Sequence, residues 1–419
     1  MSLNSLNRER ARAERTRAQL CVCIAAFWLV FFAKIGSRVS SYMRSLPAAA
    51  LAFARRGPLW HAVRNAGSAD EWAFHGCALV DKLLPDDPRA ATTYPEELDT
   101  ALASRVYHLY LPVFFWCRGL VRSHQSGGRA LAIGLSAPQG RGKTTLVDFL
   151  ADRFAADSLA CAAVSFDDFY LTGKAQDDLA AGHADNPLFQ VRGNAGTHDV
   201  PLGTETLRTL IGGPGAAQQG STRVVQYDKS ARGGRGDRAV EDAWTHQRLP
   251  LDMVLLEGWM AGFKPLPATA NVLQAQPGLQ EVNSRLGAYD AWHDQMDAWV
   301  IVAADRPEHV FSWRLQAPTS PYIPLHPLTP HSTSPYVFSW RLQAEQAMAA
   351  RGKPGMTDAQ VRDFVDRYMP AYQAYLPALH DAATDGGVDG KPTLRIDVDG
   401  SRSPVQRGAG GVDTAGDTA

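Results

Sequence analysis

Cysteine is scarce in this chain: five in 419 residues, an odd number with no C-x-x-C pair. That excludes a disulfide framework and a zinc ribbon and points to a reduced core. An excess of one charge is lacking too. Lys and Arg number 42 against 43 Asp and Glu, a formal net charge of −1, so there is no bulk electrostatic attraction to nucleic acid. The apolar run LCVCIAAFWLVFFA over 20–33 stops short of the roughly 20 residues that span a bilayer. What is present, 45% hydrophobic and 20% charged residues, is a globular composition. It excludes wholesale disorder and a polytopic membrane protein.

The charge that exists is unevenly placed. Within residues 1–60, Arg8, Arg10, Arg12, Arg15, Arg17, Lys34, Arg38, Arg44, Arg55 and Arg56 face only Glu9 and Glu14. A basic, acid-poor start fits an organelle transit peptide, while a basic stretch ahead of an apolar one also fits a signal sequence or anchor. A buried helix of the mature fold is the third reading. Membrane contact is expected only if the apolar run is retained. The first two readings put residues 1–60 outside the mature fold.

From 70 to 124 the apolar spacing is helical. Within it, EELDTALASRVYHLYLPVFFWCR over 96–118 repeats every third or fourth position until Pro112 interrupts it. Gly127-Gly128 breaks the chain, and short apolar runs then alternate with helical stretches. ALAIGLS at 130–136, LACAAVSF at 159–166, LDMVLL at 251–256, AWVIVA at 298–303 and TLRIDV at 393–398 read as strands, with a helix at 144–154. Continuous apolar strands between helices predict an α/β fold whose parallel sheet is covered on both faces, preceded by a helical segment at 70–126. The main domain is expected over 127–400 and a disordered tail over 401–419. The stretch PTSPYIPLHPLTPHSTSPY, centred on 318–336, admits neither helix nor central strand. It is flanked by two copies of VFSWRLQA, at 310–317 and 337–344, the mark of a local duplication or gene-model error rather than a solenoid.

Directly after the first strand and before a helix stands A-P-Q-G-R-G-K-T at 137–144, a P-loop with Ala in place of the leading Gly. Gly140, Arg141, Gly142, Lys143, Thr144 and Thr145 are the expected nucleotide-binding residues. The glycines free backbone N–H groups for phosphate, the helix start favours the same anion, Lys143 reaches the β- and γ-phosphates, and the Thr144 hydroxyl binds Mg²⁺. Asp167 and Asp168 end the second strand and Glu257 ends the third, where ligands of open parallel sheets bind. Phosphoryl transfer needs metal ligands, a charge clamp and an acceptor for the hydroxyl proton; the alternative is solvated strand-end carboxylates. No N-K-x-D guanine-reading motif accompanies them.

The ordered set SAPQGRGKTTL, SFDDFYLT, RGNAGTHD, YDKSARGGRGDR, LLEGWMAGFKPL and WRLQAEQAM resembles the D-glycerate 3-kinase family of plant and fungal type. That family sits among the P-loop kinases with phosphoribulokinase, uridine kinase and pantothenate kinase. The match runs from about 71 to 400, and RVYHLYLPVFFWC in the helical preamble also resembles it. The resemblance implies an ATP- and Mg²⁺-dependent kinase forming 3-phosphoglycerate from D-glycerate, in a chloroplast and in photorespiration. It makes Asp167 the base toward the acceptor hydroxyl and a metal neighbour, with Lys143, Thr144 and Glu257 serving nucleotide and metal. Asp168, Tyr170, Arg192, Asn194, His198 and Asp199 fall in one acceptor segment; Tyr227, Lys229, Arg235 and Arg238 fall in another. His198 is not expected to ligate metal, since no second ligand stands at helical spacing. The duplicated arginines Arg314 and Arg341 correspond to the lid arginine, and only the copy with Arg341 continues into EQAM. A kinase of another small alcohol, a regulatory P-loop ATPase, or a pseudokinase inactivated by the insert are the alternatives.

Deleting 318–344 would leave one uninterrupted reading, HVFSWRLQAEQAMAARG, rich in helix formers. The variant is expected to fold and to match or exceed the full chain in an ADP-release assay. A folded variant that has lost activity would instead make the Pro-rich segment part of the working lid.

Overall fold

The short apolar runs become strands in a computed structural model of the chain, which describes residues 37–84, 94–124, 128–138, 143–212, 220–276, 278–304, 366–399 and 403–406, with backbone alone over 37–44 and at 144. The strands are β1 (Leu131–Ser136), β2 (Cys161–Ser165), β3 (Gly220–Val224), β4 (Tyr227–Asp228), β5 (Asp237–Arg238), β6 (Thr245–Leu249), β7 (Met253–Gly258), β8 (Ala298–Ala304) and β9 (Thr393–Val398). Five form one parallel sheet in the order β2-β7-β1-β8-β9. This is the α/β class expected, with all five apolar runs placed in that sheet. The remaining four are polar and pair antiparallel, β3 with β6 and β4 with β5, outside it.

The helices of eight residues or more among the described residues are α1 (Ser37–Ala54), α2 (Ala69–Leu83), α3 (Leu111–Ser123), α4 (Lys143–Ala156), α5 (Gly173–Gly182), α6 (Val200–Ile211), α7 (Leu279–Leu286) and α8 (Met369–Ala382). Alternate strand residues serve opposite faces. Leu131, Ile133, Leu135, Met253, Leu255 and Val300 pack with apolar side chains of α1–α4. Val164, Val254, Leu256, Trp299 and Ile301 pack with those of α6, α7 and α8. Gly134 in β1 is required by this second face: a Cβ there would meet the Trp299 ring at 2.2 Å.

The helical preamble covers one face of the sheet. Ser68 and Glu71 cap the start of α2 reciprocally, and Glu71 also holds the buried Arg118 of α3 at 2.7 Å. Two sequence expectations are corrected here. Pro112 does not interrupt the helix. Arg105–Tyr110 forms a π-helical turn in which the Leu111 N–H reaches back to Val106 O, and this widening lets the chain continue straight into α3 around a residue with no N–H. Nor does the packed fold begin after residue 60. Leu46, Ala50 and Ala54, one helical turn apart, form the buried stripe of α1, and Leu59 and Val63 join the same cluster. Among the described residues no helix is long and apolar enough to cross a membrane. At the other end the expected tail is pinned where it starts: Val405 N–H donates to Asp397 O at 2.9 Å, and Pro404 bridges Val398. The duplicated octapeptides and the Pro-rich stretch lie outside the described residues.

Candidate active site

The residues flanking the P-loop motif sit at the carboxyl edge of the sheet. β1 ends at Ser136, the Ala137 N–H donates to Gly258 O at 3.3 Å, and α4 starts at Lys143. Gly140, Arg141 and Gly142 lie outside the described residues, as does the side chain of Thr144; Lys143 and Thr145 are half-buried at the helix start. The positive end of the dipole of an α-helix beginning there favours an anion.

β2 delivers the carboxylates on a one-turn 3₁₀ helix, Phe166–Phe169, directly after the strand. Its cap is reciprocal: Ser165 Oγ accepts from Asp167 N–H at 3.2 Å, and Asp168 Oδ2 accepts from Ser165 N–H at 3.2 Å. The cap turns Asp168 back onto the chain and leaves Asp167 facing Lys229, whose Nζ is 2.5 Å from Oδ2. The two neighbours therefore differ electrostatically. Burial pushes Asp167 up, but the Lys229 charge and hydrogen bond, with Lys143 and the Tyr170 hydroxyl, win and hold it below the usual carboxylate range. Burial raises Asp168 to about 6, with Asp167 and Glu257 adding repulsion against its Ser165 hydrogen bond. The Asp167–Lys229 pair is part-exposed, 29% and 58%, so opening it costs about 1 kcal/mol or less.

Glu257, next to last in β7, stands in register between Leu135 of β1 and Ser165 of β2. Its Oε2 is buried with no hydrogen-bond partner among the described residues. The following Gly258 permits this closeness, because a Cβ there would meet the Phe166 ring at 2.6 Å. A buried carboxylate oxygen with no partner among the described residues, next to the strand that leads toward α4, is of a kind that could hold Mg²⁺, which takes one or two protein carboxylates and fills its octahedron with phosphate and water. No group of three metal-ligating side chains occurs among the described residues.

The acceptor segments converge on the same edge. Leu171 N–H donates to Thr197 O at 2.9 Å and Asp199 N–H to Phe169 O at 2.7 Å, which stacks the His198 ring on Tyr170, centroids 4.5 Å apart. Both rings are buried, and Tyr227 meets Tyr170 edge-on at 5.3 Å. Tyr227 Oη has no partner among the described residues. Arg192 lies 5.6 Å over the Tyr227 ring and donates to the carbonyls of Gly234 and Arg235. Asn194 is placed differently: its Nδ2 ties Leu188 O to Arg367 O, at 3.3 and 3.1 Å, a bridge between loops. Arg235 pairs with Asp177 at 2.7 Å, joined there by Arg232, and Arg238 pairs with Asp199 at 2.8 Å. The β4–β5 segment thus brings its cations to the site with each one already engaged. Arg314 and Arg341 lie outside the described residues.

Two participants escaped the sequence reading. Asp177 on α5 gathers two arginines, and Tyr289 holds His198 Nδ1 at 2.6 Å. Asp177 sits in an ordinary polar helix and Tyr289 in a polar stretch 91 positions from its partner, so neither leaves a local signal.

With this geometry in hand, relatives become informative. The chain is 40% identical over 346 residues to the chloroplastic D-glycerate 3-kinase of Arabidopsis thaliana, covering 81% of this chain and 67% of that one. The chain belongs to the D-glycerate 3-kinase family. The uncharacterized kinase mug58 of Schizosaccharomyces pombe is 33% identical over 288 residues, covering 66% of this chain and 91% of that one. Among solved structures, D-glycerate 3-kinase from Cryptococcus neoformans var. grubii superposes with a TM-score of 0.54 at 28% identity, over 71% of this chain and 97% of that one. No protein-family model matches the chain. Family membership makes it a kinase, and the parallel α/β sheet flanked by helices that the sequence predicts is the one observed.

Proposed function

We propose that this protein transfers the γ-phosphoryl group of ATP to the 3-hydroxyl of D-glycerate, giving 3-phosphoglycerate and ADP. The observation that carries the reading is the meeting of Asp167, Lys229 and the start of α4 at one sheet edge, in a chain of this family. Lys143 and the N–H groups opening α4 would draw charge from the β- and γ-phosphates as the γ-phosphorus leaves its bridging oxygen. Asp167 aligns the acceptor hydroxyl for in-line attack. As the new O–P bond forms it takes the hydroxyl proton, its basicity raised once the Lys229 charge that holds it down has moved away. Glu257, with Thr144 at the helix start, would hold Mg²⁺, which when bound neutralises phosphate charge. Lys229 must leave Asp167 for the hydroxyl to approach, and the low worth of that exposed pair permits it. The released ammonium, with Arg192 and with Arg235 once it leaves Asp177, would meet the acceptor carboxylate; a guanidinium can do so through two parallel hydrogen bonds.

An ADP-release assay across D-glycerate, nucleosides, pantothenate and sugar phosphates tests this. Turnover on D-glycerate is expected to exceed the others; turnover confined to a nucleoside would replace the reading. We also propose that the basic N-terminal segment directs the chain to a plastid, in keeping with its chloroplastic relative. Residues 1–45 fused to a fluorescent protein are expected to enter plastids. Diffuse cytosolic signal removes that claim, and carbonate-resistant membrane signal makes 20–33 an anchor instead.

A further inference from the structure

His198 is buried at 5% exposure, and its two ring nitrogens have different fates. Nδ1 meets Tyr289 Oη at 2.6 Å; Nε2 is buried and has no hydrogen-bond partner among the described residues. Tyr289 is itself fully buried, and its oxygen already accepts the Gly196 N–H at 3.0 Å. These contacts decide which nitrogen carries the proton. If Nδ1 carried it, the Tyr289 oxygen would accept twice, its own proton would have nowhere to go, and Nε2 would stand as an unmet acceptor. If Nε2 carries it, the Tyr289 hydroxyl donates to Nδ1, and one group alone is left over, the Nε2–H. Each unmet buried polar group costs on the order of 1–3 kcal/mol, so the second arrangement prevails. The imidazole is also uncharged, since burial lowers it to about 3 against the modest pull of Asp167.

The single remaining donor belongs to a ring stacked on Tyr170, whose hydroxyl is hydrogen-bonded to Asp167. We propose that Tyr289 is a positioning residue that locks His198 as a neutral Nε2–H donor toward an oxygen of the acceptor, so that acceptor selection depends on a hydroxyl group 91 positions away. This rests on the kinase reading above and adds to it the direction of one hydrogen bond. A fixed neutral donor discriminates by geometry: a correctly placed oxygen completes its hydrogen bond, and a molecule lacking that oxygen leaves a buried N–H unmet.

Histidine ¹⁵N spectra of the full chain read the tautomer with no acceptor present. His198 is expected to show a protonated Nε2 and a bare Nδ1, and Tyr289→Phe, which conserves ring volume, is expected to lose that bias. Tyr289→Phe should raise KM for D-glycerate on the order of tenfold with KM for ATP unmoved, the value of about one hydrogen bond. His198→Gln, whose amide N–H reaches about as far as Nε2, should bind the acceptor more tightly than His198→Asn, which reaches only as far as Nδ1. A wild-type ring protonated on Nδ1 overturns the inference. So does a Tyr289→Phe protein that changes tautomer without moving the acceptor KM, or a His198→Asn protein that matches His198→Gln. A wild-type chain inactive on D-glycerate overturns the functional reading instead, and the tautomer spectrum still judges this one.

Discussion

Lys143→Ala is expected to abolish phosphoryl transfer while leaving the protein folded. The side chain opens α4 at the carboxyl edge of the sheet, where the phosphates are proposed to bind, and its charge is felt by Asp167. Negative charge on the transferring group must be met by a fixed cation, and losing such a contact costs several kcal/mol, each 1.36 kcal/mol being about tenfold in rate. The fold asks little of this residue, because a half-buried lysine at a helix start supports little packing. The checks are ADP release with D-glycerate and thermal unfolding on the same preparation. Wild-type turnover in a folded Lys143→Ala protein would remove the P-loop assignment.

Asp167→Asn ranks next, with kcat lowered by about 10²–10⁴ and ATP binding retained, as for loss of a general base. Asp168→Asn should do much less, because Asp168 spends its carboxylate on the Ser165 N–H, which an amide oxygen can also accept. If Asp168 proves the more sensitive, the two roles are exchanged. The pair also predicts opposite effects on stability, measured without nucleotide or metal. Asp167 is held below its ordinary range, so its contribution is present above that range and fades as pH falls toward its own lower value. Asp168 is raised, so its contribution is present below about 4 and lost as pH rises through about 6. Relative to Asp168→Asn, the wild type should therefore lose stability between about pH 4 and 6, and equal slopes for the two proteins in denaturant titrations would contradict this.

The central sheet was legible because β1, β7 and β8 are buried on both faces and read as apolar runs, while β2 and TLRIDV of β9 at its edges alternate buried and partly exposed residues. The place of Glu257 near the end of a central strand, and of Lys143 at the start of a helix after the first strand, was legible from the strand pattern. The polar pairs β3–β6 and β4–β5 were not, since an exposed two-stranded ribbon has no buried face to impose alternation. Helix α1 was hidden by composition: basic residues flank a small-residue stripe at Leu46, Ala50 and Ala54 that resembles a targeting segment as closely as a packed helix. Pro112 misled because the standard penalty assumes 3.6 residues per turn, and the chain widened the preceding turn. Asp168 looked like a substrate ligand because a carboxylate at a strand end and a carboxylate capping its own turn share one sequence. The ring of His198 was visible as a candidate, but its proton was not, being decided by Tyr289 on a distant segment.

The placement of β7 in the middle of the sheet also sets a schedule. β1 and β2 emerge from the ribosome early, yet both lean on β7: Leu131 pairs with Met253, and Cys161 pairs with the same residue. Neither strand can join the sheet until roughly 90–120 further residues have been made, and the closure entropy of so long a loop must be met before pairing stabilises anything. The preamble faces no such delay, since α1, α2 and α3 are near neighbours in sequence and bury their aromatic cluster against one another. During synthesis the amino-terminal helices are thus ready as a nascent half-core that can shelter the apolar face of β1 while it waits, and a chain truncated before residue 253 would be left with two orphaned strands and an open invitation to aggregate.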